Sequence, residues 1–193
     1  ILVGRERSRN FTKLYNDTIA KPLFDRSLKA QYPPGSPFKV LNALIGLQEE
    51  VVTTQDRFSC RMGYYLGSRR LTGCHHHKSP LSMTDGIAQS CNAYFANVYR
   101  RIIEKYDKPH DGMNAWSNHV KSFGLGNYLG YDLKIGNKGR IPDGAFYDKW
   151  YGKNRWAANY NISNAIGQGE VEATPIQLAN MVAAISNRGF FYT

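Results

Sequence analysis

Apolar residues recur at helical spacing directly after a turn near residue 35. Pro33-Pro34-Gly35 favours that turn, Ser36 is a suitable N-cap residue, and Pro37 suits the first position of a helix. The apolar positions that follow are three or four residues apart: Phe38, Leu41 and Ile45. The pattern therefore predicts a buried helix that begins at Ser36 and ends near Gln48.

Later stretches of the chain carry the same periodicity or helix-start signals. Ser82 can cap a short helix with Asp85 at its third position, and Thr174-Pro175-Ile176-Gln177 reads as a capping box with proline in the first turn. Gly124-Leu125-Gly126 and Asn187-Arg188-Gly189 are typical of helix ends. One predicted helix has its apolar positions at Tyr94, Phe95, Val98 and Ile102, and the last has them at Leu178, Met181, Val182 and Ile185. Between them, an amphipathic helical segment runs from Met113 to Phe123.

Two long segments lack helical periodicity. Residues 58–80 are rich in Gly, Ser and basic side chains, and residues 127–165 are dominated by Gly, Asn, Tyr and Trp. Both compositions are typical of irregular connections, and we expect the second segment to lie at the surface. The pattern as a whole predicts a helix-rich chain with few strands, in which residues 1–193 form a single domain.

The composition is that of a folded globule with a basic surface. Of the 193 residues, 42% are hydrophobic and 21% are charged, which excludes intrinsic disorder, collagen and a coiled coil. No stretch approaches the length of about 18 apolar residues that a membrane span needs. The formal net charge is +10, but the basic residues are scattered. The charge therefore allows an anionic partner, while its distribution gives no support to nucleic acid binding.

A serine and a lysine share one face of the first predicted helix. Ser36 and Lys39 are three residues apart, so their side chains are neighbours. The positive end of the helix dipole disfavours an ammonium, and burial does so too, so Lys39 can be held neutral and accept the serine proton. A backbone N–H at the same helix end can stabilise an oxyanion. The alternative is a helix-capping serine beside a solvated lysine.

A second hydroxyl and an amide follow 54 residues after Ser36. Ser90-Cys91-Asn92 falls between two predicted helices, where Ser90 can relay a proton and Asn92 can bind a substrate amide. Ser8-Arg9-Asn10 has the same spacing, but it precedes the first motif in a charged stretch, and we interpret it as chance. The two accepted motifs together outline a serine acyl-transfer site.

These motifs and their order resemble those of the penicillin-binding proteins. That family combines Ser-x-x-Lys, Ser-x-Asn and Lys-Thr-Gly motifs, and the wider likeness is to its elongation-type class B transpeptidases. The stretches that carry the likeness are residues 32–39, 88–95, 123–126, 130–133, 166–169 and 174–180. The resemblance implies an α/β (α+β) fold of the serine β-lactamase and transpeptidase type. This chain would hold its helix-rich portion, with part of the antiparallel sheet missing.

The resemblance also implies a role for each site residue. Ser36 is the nucleophile, Lys39 its general base, Ser90 the proton relay and Asn92 the clamp on a substrate amide. The reaction is peptidoglycan D,D-transpeptidation through a Ser36 acyl-enzyme, and β-lactams are trapped at the same serine. Alternatives on the same fold are a D,D-carboxypeptidase, a β-lactamase and a catalytically silent β-lactam sensor.

A glycine-rich stretch, Gly167-Gln168-Gly169, is expected to shape a loop near the floor of the cleft. An ordinary Gly-rich turn explains the same residues equally well. It is not a phosphate-binding loop, because no Lys-Ser/Thr pair follows it.

One family motif is not present in the chain. The triplets Lys78-Ser79-Pro80 and Lys121-Ser122-Phe123 both fail the Lys-Ser/Thr-Gly pattern at the third position. We therefore expect residues 1–193 to be a truncated transpeptidase domain with little activity by itself. The resemblance places the full protein at the periplasmic face of the bacterial inner membrane, with stem peptides, β-lactams and a glycosyltransferase of the elongation machinery as partners. The net charge suits an anionic peptidoglycan precursor.

Cysteine and histidine residues cluster between the two motifs. Cys60 and Cys74 lie 14 residues apart, and His75-His76-His77 follows at once. A disulfide would close a loop of about 15 residues and stabilise the fold by roughly 3 kcal/mol. Alternatively, two thiolates and one imidazole supply three of the four ligands of a structural zinc. Some elongation-type relatives carry a metal in this region, and by that comparison His77 is the preferred histidine. Cys91 is expected to be a buried structural thiol, and catalysis is expected to need no cofactor.

Overall fold

The computed structural model describes residues 4, 6–130 and 136–191 of the chain. Helices dominate these residues, and two short strands pair antiparallel. The α-helices are α1 (Arg7–Tyr15), α2 (Arg26–Lys29), α3 (Phe38–Gln48), α4 (Met83–Ala88), α5 (Asn92–Glu104), α6 (Pro109–Ser122), α7 (Gly144–Tyr151) and α8 (Pro175–Ser186). The strands are β1 (Gly63–Leu66) and β2 (Arg69–Gly73), and two 3-10 helices span Ala158–Tyr160 and Ile162–Ile166. The predicted helix-rich α/β class is confirmed.

Helix α5 forms the centre of the core because eight of its 13 residues are buried. It contacts α3, α6, the β1–β2 hairpin and both 3-10 helices. Its buried residues are Ala93, Tyr94, Phe95, Ala96, Val98, Tyr99, Ile102 and Ile103. Because Asn92 is the first residue of α5, the Ser90-Cys91-Asn92 motif is attached to the best-packed element of the fold.

Helix α3 carries the first motif and packs closely against α5. Gly46 permits this approach, because a Cβ added there would lie 2.7 Å from Val98 Cγ1 and 2.9 Å from Val52 Cγ2. The helix ends at Gln48, as predicted. The two helices that bear the two sequence motifs are therefore held side by side by apolar packing.

The predicted start of α3 at Ser36 is wrong by two residues. The helix begins at Phe38, and no side chain caps it. The backbone N–H groups of Phe38, Lys39 and Val40 instead bond the carbonyls three residues earlier, which gives a tight first turn. The Ser36 hydroxyl does not bond the helix end, because it is engaged with Ser90.

Residues 58–80 are not wholly irregular, since they contain the β1–β2 hairpin. Gly63 pairs with Gly73 and Leu66 with Arg69, and the register shifts between Tyr64 and Tyr65. Tyr64 is buried, whereas the β2 residues are exposed or only partly buried. The two strands could not be predicted, because β2 is rich in arginine and neither strand alternates between apolar and polar residues.

Residues 127–165 are not the surface connection that their composition suggested. They include α7 and both 3-10 helices, and Tyr147 and Trp156 are buried in the core. The Asp143 side chain caps α7, and the Asp148 carboxylate accepts hydrogen bonds from the Trp156 indole and the Asn154 N–H. Hydrogen bonds to polar side chains thus hold these aromatic residues in place, although their spacing along the sequence shows no helical periodicity. The family likeness at residues 131–133 lies outside the described residues.

The other helix predictions largely hold. Ser82 caps α4 through the Asp85 N–H, and the Thr174–Gln177 capping box of α8 is complete. Helix α6 begins at Pro109, four residues before the predicted Met113. On α8, Met181 is buried and Leu178 and Ile185 are partly buried, but Val182 was wrongly placed on the covered face, since it is 50% exposed.

In the part of the chain that the structure describes, no helix combines the length and the hydrophobicity of a membrane span.

Replacing Gly112 with alanine tests the close packing of α6 on α5. A Cβ at this position would collide with the backbone carbonyl of Ile103, which cannot move without shifting α5. We expect Gly112→Ala to lower the free energy of unfolding of the full-length protein by about 1–3 kcal/mol in denaturant titration. Gly73→Ala is the matched control, because a Cβ there meets no atom within 4 Å. Equal stability of the two variants would contradict the packing described for α6.

Candidate active site

Lys39 is a buried lysine at the centre of a polar cluster. It lies in the first turn of α3 and is only 2% exposed. Its Nζ donates hydrogen bonds to the Ser90 carbonyl at 2.6 Å, the Ser90 Oγ at 2.8 Å and the Asn92 Oδ1 at 2.6 Å. One amine therefore connects both residues of the second motif to the first.

Burial lowers the pKa of Lys39 below its ordinary value. Removal of the amine from water is the largest effect, and the charges that the thiols of Cys74 and Cys91 can carry act in the opposite direction. Since the desolvated ammonium is disfavoured, the neutral amine is more accessible here than in a solvated lysine. A neutral lysine is the form that can accept a proton.

Ser36 reaches this amine through Ser90. The Ser90 Oγ donates to the Ser36 Oγ at 2.9 Å and itself lies 2.8 Å from the Lys39 Nζ. Because hydroxyl protons rotate freely between partners, this chain of three heteroatoms can carry a proton in either direction. The predicted residues Ser36, Lys39, Ser90 and Asn92 are thus brought together, whereas Ser8 lies exposed on α1.

The turn between α4 and α5 aims Ser90 at the lysine. Ser90 has a φ of +48°, a left-handed conformation that non-glycine residues adopt rarely. Its N–H bonds the Ile87 carbonyl, and the next N–H, of Cys91, bonds the Gly86 carbonyl. These bonds close the turn tightly, so that both the hydroxyl and the carbonyl of Ser90 point to Lys39. Such local strain is common at functional sites.

The hairpin fixes the side chain of Asn92. Its Nδ2 donates to the Gly73 carbonyl at 2.8 Å, and its backbone N–H donates to the Cys74 Sγ at 3.4 Å. With the amide nitrogen bound to a carbonyl, the Asn92 oxygen must face Lys39. The end of β2 therefore sets the orientation of the amide.

The Gly167–Gly169 loop packs against the turn that precedes the nucleophile. Gly167 ends the second 3-10 helix with a φ of +66°, and its carbonyl accepts a hydrogen bond from the Gly35 N–H at 2.8 Å. A Cβ on Gly167 would lie 2.5 Å from the Gly35 carbonyl and 2.7 Å from Phe38 Cβ. Gln168 and Gly169 are exposed. The loop is therefore a neighbour of Ser36, and the glycine is required by its close approach.

Three thiols and an imidazole converge beside Asn92. The ligand atoms of Cys60, Cys74, His77 and Cys91 all lie within 4.8 Å of one another. All three cysteines are free thiols, and the Cys74 Sγ lies 3.4 Å from the His77 Nε2. Cys91 is buried as predicted, but its expected role in packing alone is incomplete, since it is the fourth corner of this cluster.

The thiols differ in acidity because their surroundings differ. Burial raises the pKa of Cys91 to about 12 and also raises that of Cys60. Burial acts on Cys74 in the same direction, but hydrogen bonds from the Asn92 N–H, His77 and the other two thiols outweigh it and lower its pKa to about 7. Three sulfurs and one imidazole nitrogen are a donor set that zinc prefers, so the cluster fits a tetrahedral zinc.

Sequence reasoning missed Cys91 as a member of this cluster. The available signal was its position, one residue from both Ser90 and Asn92, at the start of a helix that packs on the hairpin. A side chain that faces away from the cleft at that point must face the segment holding the other two cysteines. The spacing rules for zinc sites do not cover a ligand 17 residues away within another motif.

Comparison with known proteins assigns the chain to a family. Residues 2–193 match the family described as "Penicillin binding protein transpeptidase domain". The peptidoglycan D,D-transpeptidase MrdA of Acinetobacter baumannii is 31% identical over 181 residues, which cover 90% of this chain and 25% of that protein. The chain spans about a quarter of the length of the curated relatives it matches.

Solved structures agree with this assignment. Pseudomonas aeruginosa PBP2 in complex with WCK 5153 superposes with a TM-score of 0.77 at 28% identity, over 95% of this chain and 40% of that one. A chain from a peptidoglycan synthase complex, described as coordinating polymerization and crosslinking, gives a TM-score of 0.72 at 26% identity, over 96% of this chain and 30% of that one. The chain belongs to the penicillin-binding protein transpeptidase family and is similar to its PBP2 (MrdA) members.

Proposed function

We propose that the protein is a peptidoglycan D,D-transpeptidase that works through an acyl-enzyme on Ser36. The observation that carries the proposal is the hydrogen-bonded chain from the Ser36 Oγ through the Ser90 Oγ to the buried Lys39 Nζ. A serine hydroxyl is a weak nucleophile unless a base takes its proton, and a desolvated lysine is such a base. The name of the Acinetobacter relative, a peptidoglycan D,D-transpeptidase, supports the same reaction.

In the acylation step, the Ser36 oxygen attacks the carbonyl carbon of the penultimate D-Ala of a stem peptide. The Ser36 proton passes to Lys39, directly or through Ser90, as the C–O bond forms. The tetrahedral intermediate then collapses, the peptide bond breaks, and the amine of the departing D-Ala takes the proton back. In the second step an amine of a neighbouring stem peptide attacks the ester carbonyl and gives up a proton to Lys39. The ester C–O bond then breaks, and the Ser36 oxygen leaves with that proton. A β-lactam acylates the same oxygen by opening its ring.

Each of the remaining site residues assists a defined part of this reaction. The turn ahead of α3 places Ser36 at the positive end of the helix dipole, which favours a developing oxyanion. Asn92 accepts a hydrogen bond from the Lys39 amine, and the second hydrogen of its Nδ2, whose first hydrogen bonds the Gly73 carbonyl, is the donor for the substrate peptide. The Gly167–Gly169 loop supports the turn that carries Ser36.

The closest alternative is a D,D-carboxypeptidase, in which water replaces the acceptor amine. A β-lactamase or a silent β-lactam sensor on the same fold would share the same serine. We favour the transpeptidase because of the relatives' names. A cross-linked dimer as the product of two stem peptides distinguishes it from a carboxypeptidase, which yields only the shortened peptide.

We place the full-length protein at the periplasmic face of the inner membrane, with a peptidoglycan glycosyltransferase as its partner. The support is the similarity to a chain of a peptidoglycan synthase complex that couples polymerization and crosslinking. We expect the isolated chain to be a poor catalyst, because it has no Lys-Ser/Thr-Gly triplet. Catalysis itself needs no cofactor in this proposal.

We also propose that Cys60, Cys74, His77 and Cys91 hold a structural zinc ion. The support is the convergence of their ligand atoms within 4.8 Å. Zinc would supply a cross-link between the hairpin and the start of α5. Cys91 would enter as the fourth ligand, where the sequence suggested only three; a disulfide between Cys60 and Cys74 is the alternative.

Labelling with a fluorescent penicillin tests the nucleophile. We expect the full-length protein to form a covalent adduct that survives denaturation. Ser36→Ala should abolish it, because no other hydroxyl among the described residues is paired with the buried lysine through a relay. Ser8→Ala is the control, since Ser8 is exposed on α1 within a motif of the same spacing. Undiminished labelling of the Ser36→Ala variant would refute the assignment.

The pH dependence of acylation tests the base. Because the neutral amine is the active form and burial lowers the pKa of Lys39, the acylation rate should rise with pH and level off below the ordinary lysine pKa of 10.5. Lys39→Arg should abolish acylation, because a guanidinium stays protonated. In NMR titration, Lys39 should lose its proton at lower pH than Lys105, whose hydrogen bond to Glu49 raises its pKa. The reverse order would contradict the role of Lys39.

Metal analysis of the purified full-length protein tests the zinc site. We expect about one zinc per chain, with loss of the metal in His77→Ala and Cys91→Ser. His75→Ala is the matched control, because that exposed histidine lies outside the cluster. Zinc-free protein with a mass two hydrogens below the fully reduced value would favour the disulfide instead.

A further inference from the structure

Asn42 is a buried amide one turn along α3 from Lys39. Its side chain is fully buried, on the same face of the helix as the lysine. A buried amide is unfavourable unless its polar atoms are bonded, and an apolar residue of similar size would fill the same space. The hydrogen bonds of the Asn42 amide must therefore offset the cost of its burial.

The two ends of the Asn42 amide bind two different elements. Its Oδ1 accepts a hydrogen bond from the Trp116 Nε1 of α6 at 2.8 Å. Its Nδ2 donates to the Ala165 carbonyl at 2.9 Å and, more weakly, to the Asn164 carbonyl at 3.4 Å. Because an indole N–H can only donate, it selects the amide oxygen. Trp116 thereby forces the Asn42 nitrogen toward residues 164 and 165.

Ala165 lies two residues before Gly167, whose carbonyl accepts the Gly35 N–H. The loop that contains Gly167 is thus tied to the nucleophile segment at two places. One tie lies at Gly35, immediately before Ser36, and the other lies at Asn42, one turn beyond Lys39. The nucleophile and its base are held between these two ties.

We propose that Asn42 is a positioning residue for the acylation step, acting through the Ala165 carbonyl and oriented by Trp116. It fixes the distance between the Ser36–Lys39 turn and the Gly167–Gly169 loop, and it touches neither the substrate nor the reacting atoms. This inference rests on the proposed acyl transfer at Ser36. In an active site, a displacement of about 1 Å far from the chemistry can cost on the order of 100-fold in rate.

Two single variants and their combination separate positioning from stability. Asn42→Leu removes the tie at Asn42, keeps the one at Gly35, and leaves the Trp116 indole without its acceptor in the core. Trp116→Phe keeps an aromatic ring but releases the amide from its fixed orientation. The double variant replaces both partners by apolar groups, which removes the unpaired indole donor and so recovers part of the stability that Asn42→Leu loses. It does not restore the bond to the Ala165 carbonyl.

Ser117→Ala is the matched control. Ser117 follows Trp116 on α6 and is 1% exposed, and its hydroxyl has no hydrogen-bond partner among the described residues. Removing it changes a buried polar group in the same helix without touching the network. We expect its acylation rate to equal that of the wild type.

The measurement is the rate of acylation of the full-length protein by a chromogenic β-lactam, divided into the binding constant and the first-order acylation constant. For Asn42→Leu we expect about a tenfold or larger fall in the acylation constant with little change in binding. Trp116→Phe should show a smaller fall. The double variant should unfold at a higher temperature than Asn42→Leu, because the unpaired indole donor is gone, while its acylation constant stays low.

Two results would overturn the proposal. One is an unchanged acylation constant in Asn42→Leu, and the other is recovery of the acylation constant together with stability in the double variant. If the wild type is not acylated at all, the proposed function fails, and hydrogen exchange then decides the positioning separately. The Gly35 amide should exchange faster in Asn42→Leu than in Ser117→Ala, and equal exchange would refute the tie.

Discussion

The burial of one lysine amine is the constraint around which the site is built. Lys39 is removed from water, so each of its N–H bonds must find an acceptor within the protein. The acceptors are Ser90 and Asn92, and both come from the start of α5. The lysine therefore fixes where α5 begins relative to α3, and the same desolvation lowers its pKa, which is the direction that its proposed role as a base requires.

Several local features of the structure position the hydrogen-bond acceptors of the Lys39 amine. The left-handed conformation of Ser90, which costs about 1–3 kcal/mol by itself, turns both its carbonyl and its hydroxyl to Lys39. The end of β2 holds the Asn92 amide in the orientation that presents its oxygen. The thiol cluster adjoins that contact through Cys74 and Cys91, so the hairpin and the second motif act as one unit. Stability of the hairpin and geometry of the site are thus coupled.

The sequence predicts the residues of this site better than the elements of the fold that hold them in place. Ser36, Lys39, Ser90 and Asn92 were found from their Ser-x-x-Lys and Ser-x-Asn spacing, and the family resemblance supplied their roles. The hairpin and α7 could not be found from spacing, since their aromatic residues are anchored by polar contacts distant in sequence and leave no period to detect. The contacts of Asn42 could not be predicted either. The sequence of an apolar helix does not show whether an asparagine amide in it faces solvent or bonds the Ala165 carbonyl. Such pairings depend on which elements pack together.

The most direct test of a lysine-centred site is a crystal structure of the full-length protein after reaction with a β-lactam. Electron density should be continuous from the Ser36 Oγ to the opened ring. The Lys39 Nζ should remain within hydrogen-bond distance of the Ser90 Oγ and the Asn92 Oδ1. A covalent bond to any other residue would contradict the account. So would a Lys39 side chain turned out to solvent beside an acylated Ser36.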